Sequence, residues 1–350
     1  MARLFGTLSI PSALATGGPA DGSASTFLVD QTNKYVAGPT GTIFADFFGP
    51  VRTAVGDFNG DGTSDTAYGI GPGGGSLVRV IDGATGNDLA FSSTYEAAFT
   101  GGLYLAVGDV DGDGKAELAV SPDQGGGGRV QIFTVANGTL TLRDNFFGID
   151  DPNFRGGARV ALGDVDGDSR LDLIVGAGFG GGPRVAIFDG ATLLQNVANP
   201  TRVVGDFFAF PGPDATTLRN GVFVAAGDID GDGFAELVFG GGPGGGPRVF
   251  GLSGAIVTQS SPTAAQANPI VNFFAANDSS SRGGIRITLK DLDDDGKADL
   301  VLGSGDGRPA EVRVYLGVSA SSLVNNEAAG ALWQNFDPYG FAPAGGVYVG

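Results

Sequence analysis

The chain contains no cysteine and no histidine among its 350 residues. Without cysteine there are no disulfides and no thiolate metal sites, so an extracellular protein of this composition needs another staple, and bound metal is one. Without histidine the commonest general base and the commonest transition-metal ligand are missing. Basic residues are scarce, 20 Lys and Arg against 38 Asp and Glu, for a formal charge of −18. Phosphate contacts need Lys and Arg, which argues against nucleic acid and against an anionic membrane surface. No apolar run reaches the ~18–20 residues that cross a bilayer, so membrane insertion is not expected. Despite 64 Gly and 18 Pro, there is no Gly-X-Y period, so a collagen helix is excluded. The N-terminal MARLFGTLSIPSALATGG has one Arg and a small-residue Ala13-Leu14-Ala15. Gly6, Ser9, Pro11 and Ser12 interrupt its apolar stretch, which reads against a signal peptide.

What is present is repetition. Hydrophobic residues make up 42% of the chain, and Gly clusters punctuate short apolar runs, the mark of many strands joined by tight turns. The stretch VGDFNGDGTSD carries side-chain oxygens at Asp57, Asn59, Asp61 and Asp65. The pattern returns as GDVDGDGKAE, GDVDGDSRLD, GDIDGDGFAE and KDLDDDGKAD, with first aspartates at Asp109, Asp164, Asp228 and Asp291, at steps of 52, 55, 64 and 63 residues. An apolar run precedes each loop and another follows it. A Gly-rich turn comes next, then a run such as VRVID or RVAIF, then a fourth segment ending in a Phe pair (Phe47-Phe48, Phe146-Phe147, Phe207-Phe208, Phe273-Phe274).

Four strands per unit, A to D, repeated radially, predict an all-β propeller of four-stranded antiparallel blades. The recurring Phe residues are expected to pack between blades. The final GGVYVG (345–350) reads as a strand A with no loop after it. The N-terminal SALATGGPADGSASTFLVD reads as strands B and C, and GTIFADFF (41–48) as strand D. One blade is therefore split between the two ends of the sequence, giving six blades and closing the ring without exposed edges. Residues 1–350 are expected to form a single domain, with the split blade at 10–48 plus 345–350. The other blades fall near 51–99, 101–154, 156–219, 220–281 and 283–344. The split blade has TLSIP where the acidic loop belongs and should lack that site.

Positions 1, 3, 5 and 9 of each loop supply carboxylates or an amide, and the backbone carbonyl at position 7 is the expected fifth protein ligand. The sets are Asp57, Asn59, Asp61, Thr63 and Asp65; Asp109, Asp111, Asp113, Lys115 and Glu117; Asp164, Asp166, Asp168, Arg170 and Asp172; Asp228, Asp230, Asp232, Phe234 and Glu236; and Asp291, Asp293, Asp295, Lys297 and Asp299. Hard oxygens in this number suit Ca²⁺, whereas Mg²⁺ prefers a stricter octahedron with retained waters. An EF-hand needs a bidentate Glu at position 12. Here that position holds Tyr68, Val120, Val175, Phe239 and Leu302, so the EF-hand fails. The loops hold 20 of the 38 acidic residues, which would repel one another if left unneutralised. About five Ca²⁺ would move the formal charge from −18 to −8. Glycine after position 5 permits the sharp turn, and Ser169 replaces it in the third loop.

These loops and their flanking strands resemble FG-GAP or VCBS-type repeats, the blades also found in integrin α-subunit propellers. The resemblance covers nearly the whole chain. It implies Ca²⁺ in the A–B hairpins and an extracellular or cell-surface location. It also implies an adhesion or binding role, in a family that includes some polysaccharide-active enzymes. Integrin propellers commonly have seven blades and this chain counts to six, so the integrin partner is not implied.

A–B loops and C–D turns lie on one face of such a ring. The Gly-rich B–C turns and the variable D–A loops lie on the other, where the resemblance places ligand contacts and where variable loops on a rigid scaffold usually bind. An arginine opens strand C in five units: Arg79, Arg129, Arg184, Arg248 and Arg313. Facing the channel, these would form a basic ring for a carboxylate or sulfate of a polysaccharide. The alternative, which is favoured, is that each pairs with an acid or carbonyl of its own or the next blade. Glu96, Asp150, Asp151, Asp214 and Asp337 lie in or near the loops and would suit a lyase or glycosidase, but no catalytic motif surrounds them. The expectation is a calcium-stabilised extracellular binding or adhesion module, not an enzyme, whose partner is a glycan or an extracellular protein. A polysaccharide-active enzyme and a purely architectural module are the alternatives.

Overall fold

A computed structural model of the chain describes residues 13–18, 22–196, 198–317, 323–327, 330–340 and 345–350. These residues form six four-stranded antiparallel sheets, each in the order A–B–C–D. The protein is a six-bladed β-propeller. Blade 1 takes strand A from the C-terminal end (Tyr348–Val349) and continues with Leu14–Gly17, Ser23–Val29 and Tyr35–Thr42. Blade 2 is Val51–Gly56, Asp65–Ile70, Leu77–Ile81 and Asp88–Ser93, and blade 3 is Leu103–Gly108, Glu117–Pro122, Arg129–Ala136 and Thr139–Phe147. Blade 4 is Ala158–Gly163, Asp172–Ala177, Arg184–Phe188 and Arg202–Phe208. Blade 5 is Val222–Gly227, Glu236–Gly241, Arg248–Leu252 and Val271–Phe274, and blade 6 is Ile285–Lys290, Asp299–Ser304, Val312–Tyr315 and Gln334–Phe336.

Closure of the ring is a pair of backbone hydrogen bonds. The Ala15 N–H donates to the Gly350 carbonyl at 2.9 Å, and the Gly350 N–H returns one to the Ala15 carbonyl at 3.0 Å. Successive A strands touch one another and line the axis. Strand B is buried on both faces, because a neighbouring blade covers each, which is why it reads as a continuous apolar run. The core lies between blades. Ile174 and Ile187 of blade 4, for example, pack with Val222, Leu237 and Phe250 of blade 5.

The Phe pairs divide their work. The first member packs across the blade boundary: Phe146 on Phe188 at 4.8 Å, Phe207 on Phe239 at 6.3 Å, and Phe273 on Tyr315 at 5.5 Å between ring centroids. The second points outward, with Phe147 57% and Phe208 45% exposed. The glycine before strand A is also forced by blade contact. Gly157 has φ +74°, and a Cβ there would sit 2.3 Å from the Pro122 carbonyl oxygen of blade 3.

Two local expectations need correction. Strand D of blade 1 is Tyr35–Thr42, and residues 43–48 form the turns after it, with Phe44 buried and Phe48 82% exposed. The C–D connection of blade 5 holds two short helices, Gly254–Gln259 and Pro262–Ala267. Each is capped by a serine hydroxyl, Ser253 accepting from the Ile256 N–H and Ser261 from the Ala264 N–H. They account for the longer 63-residue step. Residues 1–12, which hold TLSIP (7–11) and most of the leader-like stretch, lie outside the described residues, as does 341–344 of the last D–A loop, while Leu14–Gly17 of that stretch is a blade 1 strand.

Candidate metal centres and the opposite face

Each acidic loop joins strands A and B, and backbone N–H groups hold its side chains in place. In the second loop, Asp109 Oδ1 accepts from the N–H groups of Gly112 (2.7 Å) and Asp113 (3.1 Å), and Oδ2 accepts from Gly114 (2.9 Å). Asp57, Asp164 and Asp228 repeat all three bonds, and Asp291 repeats the last two. Position 5 accepts from the position 7 N–H in every loop, pairing Asp61 with Thr63, Asp113 with Lys115, Asp168 with Arg170, Asp232 with Phe234 and Asp295 with Lys297. At position 3 of the first loop, Asn59 Oδ1 accepts from the Asp61 N–H at 2.8 Å.

Position 9 is the buried anchor. Asp65, Glu117, Asp172, Glu236 and Asp299 each take the N–H of position 2 at 2.7 to 2.9 Å. The shorter aspartates also reach across to the C–D turn and accept from Gly83, Gly190 and Gly317. Burial, reinforced by the neighbouring aspartates, pushes these carboxyls up: Glu117, Asp172 and Asp299 to about 7 and Glu236 to about 8.

The donor set fits a hard divalent cation. Four groups bring side-chain oxygens within 4.8 Å of one another: Asp109, Asp111 and Glu117; Asp164, Asp166 and Asp172; Asp228, Asp230 and Asp232; and Asp291, Asp293 and Asp295. Glu236 Oε1 and Asp293 Oδ1 are buried acceptors that meet no donor. A cation beside them would supply what the protein does not. Neighbouring loops are also stitched together. The position 8 N–H of one blade donates to the position 1 carbonyl of the blade before it: Ala116 to Asp57 (2.7 Å), Ala235 to Asp164 (2.6 Å) and Ala298 to Asp228 (2.7 Å).

Comparison with known proteins fits this geometry. Residues 109–175, which hold the second and third loops and the blade between them, match the family described as FG-GAP-like repeat. Integrin alpha-V of Gallus gallus is 26% identical over 258 residues, covering 67% of this chain and 23% of that protein. Integrin alpha-PS2 of Drosophila melanogaster is 31% identical over 206 residues, covering 53% of this chain and 14% of that protein. The chain is a β-propeller that carries an FG-GAP-like repeat at residues 109–175. It spans less than a quarter of the length of either integrin. Among solved structures, AofleA from Arthrobotrys oligospora shares the fold at a TM-score of 0.50 and 10% identity, over 99% of this chain and 90% of that one.

The strand C arginines, which open the strand in blades 3 to 5 and lie inside it in blades 2 and 6, are held in ion pairs. Arg79 bonds Asp88 (2.7 Å), Arg129 bonds Glu96 (2.7 Å) and Arg184 bonds Asp206 (2.6 Å). Arg248 bonds Asp214 (2.7 Å) and Asn272 (3.0 Å), and Arg313 bonds Glu311 and Glu327. Each partner lies in the same or an adjacent blade, so these five do not converge. Of the loop acids, Glu96 and Asp214 are thus engaged by arginine, while Asp151 and Asp337 accept N–H groups of their own turns. A groove of about 220 Å³ opens over blade 5, lined by Phe210, Asp214, Arg248, Phe274, Ser279 and Arg282 among others.

The residues that do converge sit five positions before each loop's first aspartate. Around the ring they are Arg52, Tyr104, Arg159, Phe223 and Arg286, and Tyr348 holds the same place on the closing strand. Cation and aromatic alternate, and every adjacent pair is in contact. The guanidinium of Arg52 lies 3.7 Å from the Tyr348 ring centroid and 4.9 Å from that of Tyr104. Arg159 lies 5.6 Å from Tyr104 and 3.9 Å from Phe223, and Arg286 lies 5.8 Å from Phe223 and 4.4 Å from Tyr348. The alignment of units that exposes the aspartates would also expose this position.

Proposed function

We propose that this chain is a calcium-stabilised extracellular binding module that holds a glycan on the face formed by its B–C turns and D–A loops. The groove over blade 5 carries the proposal. It combines an aromatic surface at Phe274 with the Arg248–Asp214 pair and the Arg282 side chain, beside Gly244, Gly245 and Gly246. Sugars are bound by this pairing of an apolar ring face with fixed polar groups. The FG-GAP match and the integrin relatives support an adhesive role, and the exposed Phe48, Phe147 and Phe208 favour contact with a partner. No helix among the described residues is long and apolar enough to cross a membrane.

In this reading the loops bind about five Ca²⁺ through the side chains of positions 1, 3, 5 and 9 and the carbonyl of position 7. The bound ion would neutralise the carboxylate cluster; the chain's own backbone donors already hold the carboxylates in place. No catalytic step is assigned, because each of the acids near the loops is engaged separately or lacks a partner acid. The test is a glycan array probed with and without calcium, followed by Phe274→Ala and Arg282→Ala. Specific binding lost about tenfold or more in both variants supports the groove, in line with the ~1–2 kcal/mol of an aromatic or charged contact. Turnover of a bound polysaccharide would make the module an enzyme, and silence on glycan and protein arrays alike would make it a scaffold.

A further inference from the structure

The axial ring is short of negative charge. Arg52, Arg159 and Arg286 are 4%, 4% and 2% exposed. Arg52 Nη2 meets Asp123 Oδ2 at 2.9 Å, and Arg286 pairs with Asp306 and donates to the Ser304 carbonyl. Among the described residues Arg159 meets no carboxylate: its Nη1 reaches the Asn220 carbonyl, at 3.2 Å. Three buried guanidiniums therefore face two carboxylates. Among the described residues, Arg52 Nε and Nη1, Arg159 Nε and Arg286 Nε are buried donors that meet no acceptor. A buried charge with open donors is costly unless something pairs with it. The rings cannot do so fully, since an aromatic face attracts the cation but accepts no in-plane N–H bond from the guanidinium. Tyr348 shows the same field: burial pushes its phenol up, Arg52 and Arg286 pull it down, and the pull wins.

We propose that the axis of the propeller binds one carboxylate group, on the face that carries the B–C turns and D–A loops. The position follows from the arginines' partners, since Asp123 and Asp306 lie in B–C turns, Ser304 ends strand B of blade 6, and Asn220 lies in a D–A loop. Tyr104 and Tyr348 are half-buried in that ring. A carboxylate matches the single uncompensated charge. It is planar, as the guanidinium forks and flanking rings require, and it accepts several N–H donors at once. The site is separate from the blade 5 groove and from the calcium loops.

Isothermal titration and thermal melts at fixed ionic strength, with calcium held constant, test this with sodium acetate, sodium glucuronate and sodium chloride. Saturable binding of acetate, with a rise in Tm that chloride does not give, is expected. Acetate alone identifies a small carboxylate as the ligand, and acetate together with glucuronate identifies the acid group of a sugar that reaches the axis. Arg159→Met should weaken acetate by about tenfold or more. Asp123→Asn frees a second positive charge and should tighten it, which keeps the test decisive if Arg159→Met does not fold. Acetate and chloride acting alike on the wild-type protein, or Asp123→Asn leaving acetate affinity unchanged or weaker, would overturn the proposal.

Discussion

The two ends of the propeller axis use the same six-fold frame in opposite ways. At the A–B end, five loops carry nearly identical side chains, and each holds its first, fifth and ninth positions largely by N–H bonds within its own nine residues, such as Gly112 to Asp109. At the B–C end, the ring at the axis is built from alternation: Arg52, Arg159 and Arg286 face Tyr104, Phe223 and Tyr348, and no single blade can make the contact alone. One end is a local motif repeated. The other is a collective site that exists only when the ring is closed.

The comparison breaks most sharply at the closing strand. Deleting residues 345–350 removes strand A of blade 1, the Ala15–Gly350 hydrogen bonds and Tyr348 together. It opens a sheet edge and exposes the arginines of the axial ring. The melting temperature should fall further than it does on calcium removal or on any single substitution, and the calcium loops of blades 2 to 6 should survive as local structure. An unchanged melting curve by circular dichroism, with two-state behaviour checked, would show that the collective end does not depend on closure.

Calcium removal attacks the other end. Each ion that binds the folded loop alone contributes about 2.7 kcal/mol at a hundredfold excess over Kd, against a typical net stability of ~5–15 kcal/mol. EDTA should therefore lower Tm markedly. The pH dependence of the calcium-free protein has a definite sign. Burial raises Glu117, Asp172 and Asp299 to about 7 and Glu236 to about 8 in the fold, so the folded chain keeps protons that the unfolded chain loses near pH 4. Tm in EDTA should fall as pH rises from about 4 through about 8, and saturating calcium should reverse or flatten that slope. A calcium-free Tm that rises with pH over that window would contradict the burial of the position 9 carboxyls.

How legible each end is in the sequence follows from the same contrast. The loops are legible because Asp, Gly and a ninth-position acid recur at fixed spacing, and their count together with the lone strand A at 345–350 gives six blades. The axial ring is harder to read by the same logic: the alignment brings the position out, but Arg52 beside Tyr104 looks like a position free to vary, whereas the contact depends on the difference. The strand C arginines recur and so attract notice, yet recurrence there reflects a bond that each blade makes for itself, as Arg129 does with Glu96. Strand D of blade 1 is hard to place because Phe47-Phe48 mimics the strand-ending pairs of blades 3 to 5. The helices after Ser253 carry little periodicity in six residues each.

Replacing a single ligand sharpens the comparison further. Asp111→Ala removes the position 3 carboxylate from one loop. It should lower Tm by a few degrees in calcium, since the other four loops remain, and leave ligand affinity on the opposite face unchanged at low temperature. Tm series in calcium and in EDTA check the first claim, because the variant and wild type should converge once the metal is gone. A fully folded Asp111→Ala that loses ligand would place calcium in the binding site and overturn the separation of the two ends.

The smallest expected effect lies within the repeated end and compares the loops with each other. The residue after position 5 adopts a left-handed backbone in all five, with φ +83° at Gly62, +86° at Gly114, +69° at Ser169, +88° at Gly233 and +81° at Gly296. A Cβ in that conformation costs roughly 1–2 kcal/mol, and the N–H bond of Ser169 to Asp164 at 2.8 Å does not offset it, because the glycines make the same bond. Ser169→Gly should remove the strain while adding about 0.5–1 kcal/mol of unfolded-state entropy. The net is a gain of about 0.5–1 kcal/mol, a rise in Tm of about a degree or two for a chain of this size. Gly114→Ser should lose about as much in the reverse direction, since nothing lies within 4 Å of a Cβ at Gly114 and backbone strain is the only difference. The pair of variants also carries its own control for calcium, because the strain is present with or without metal and both shifts should persist in EDTA. If the shifts vanish in EDTA, the loop conformation is imposed by the ion and not by the backbone donors, and the local end of the molecule is less self-sufficient than its hydrogen bonds imply.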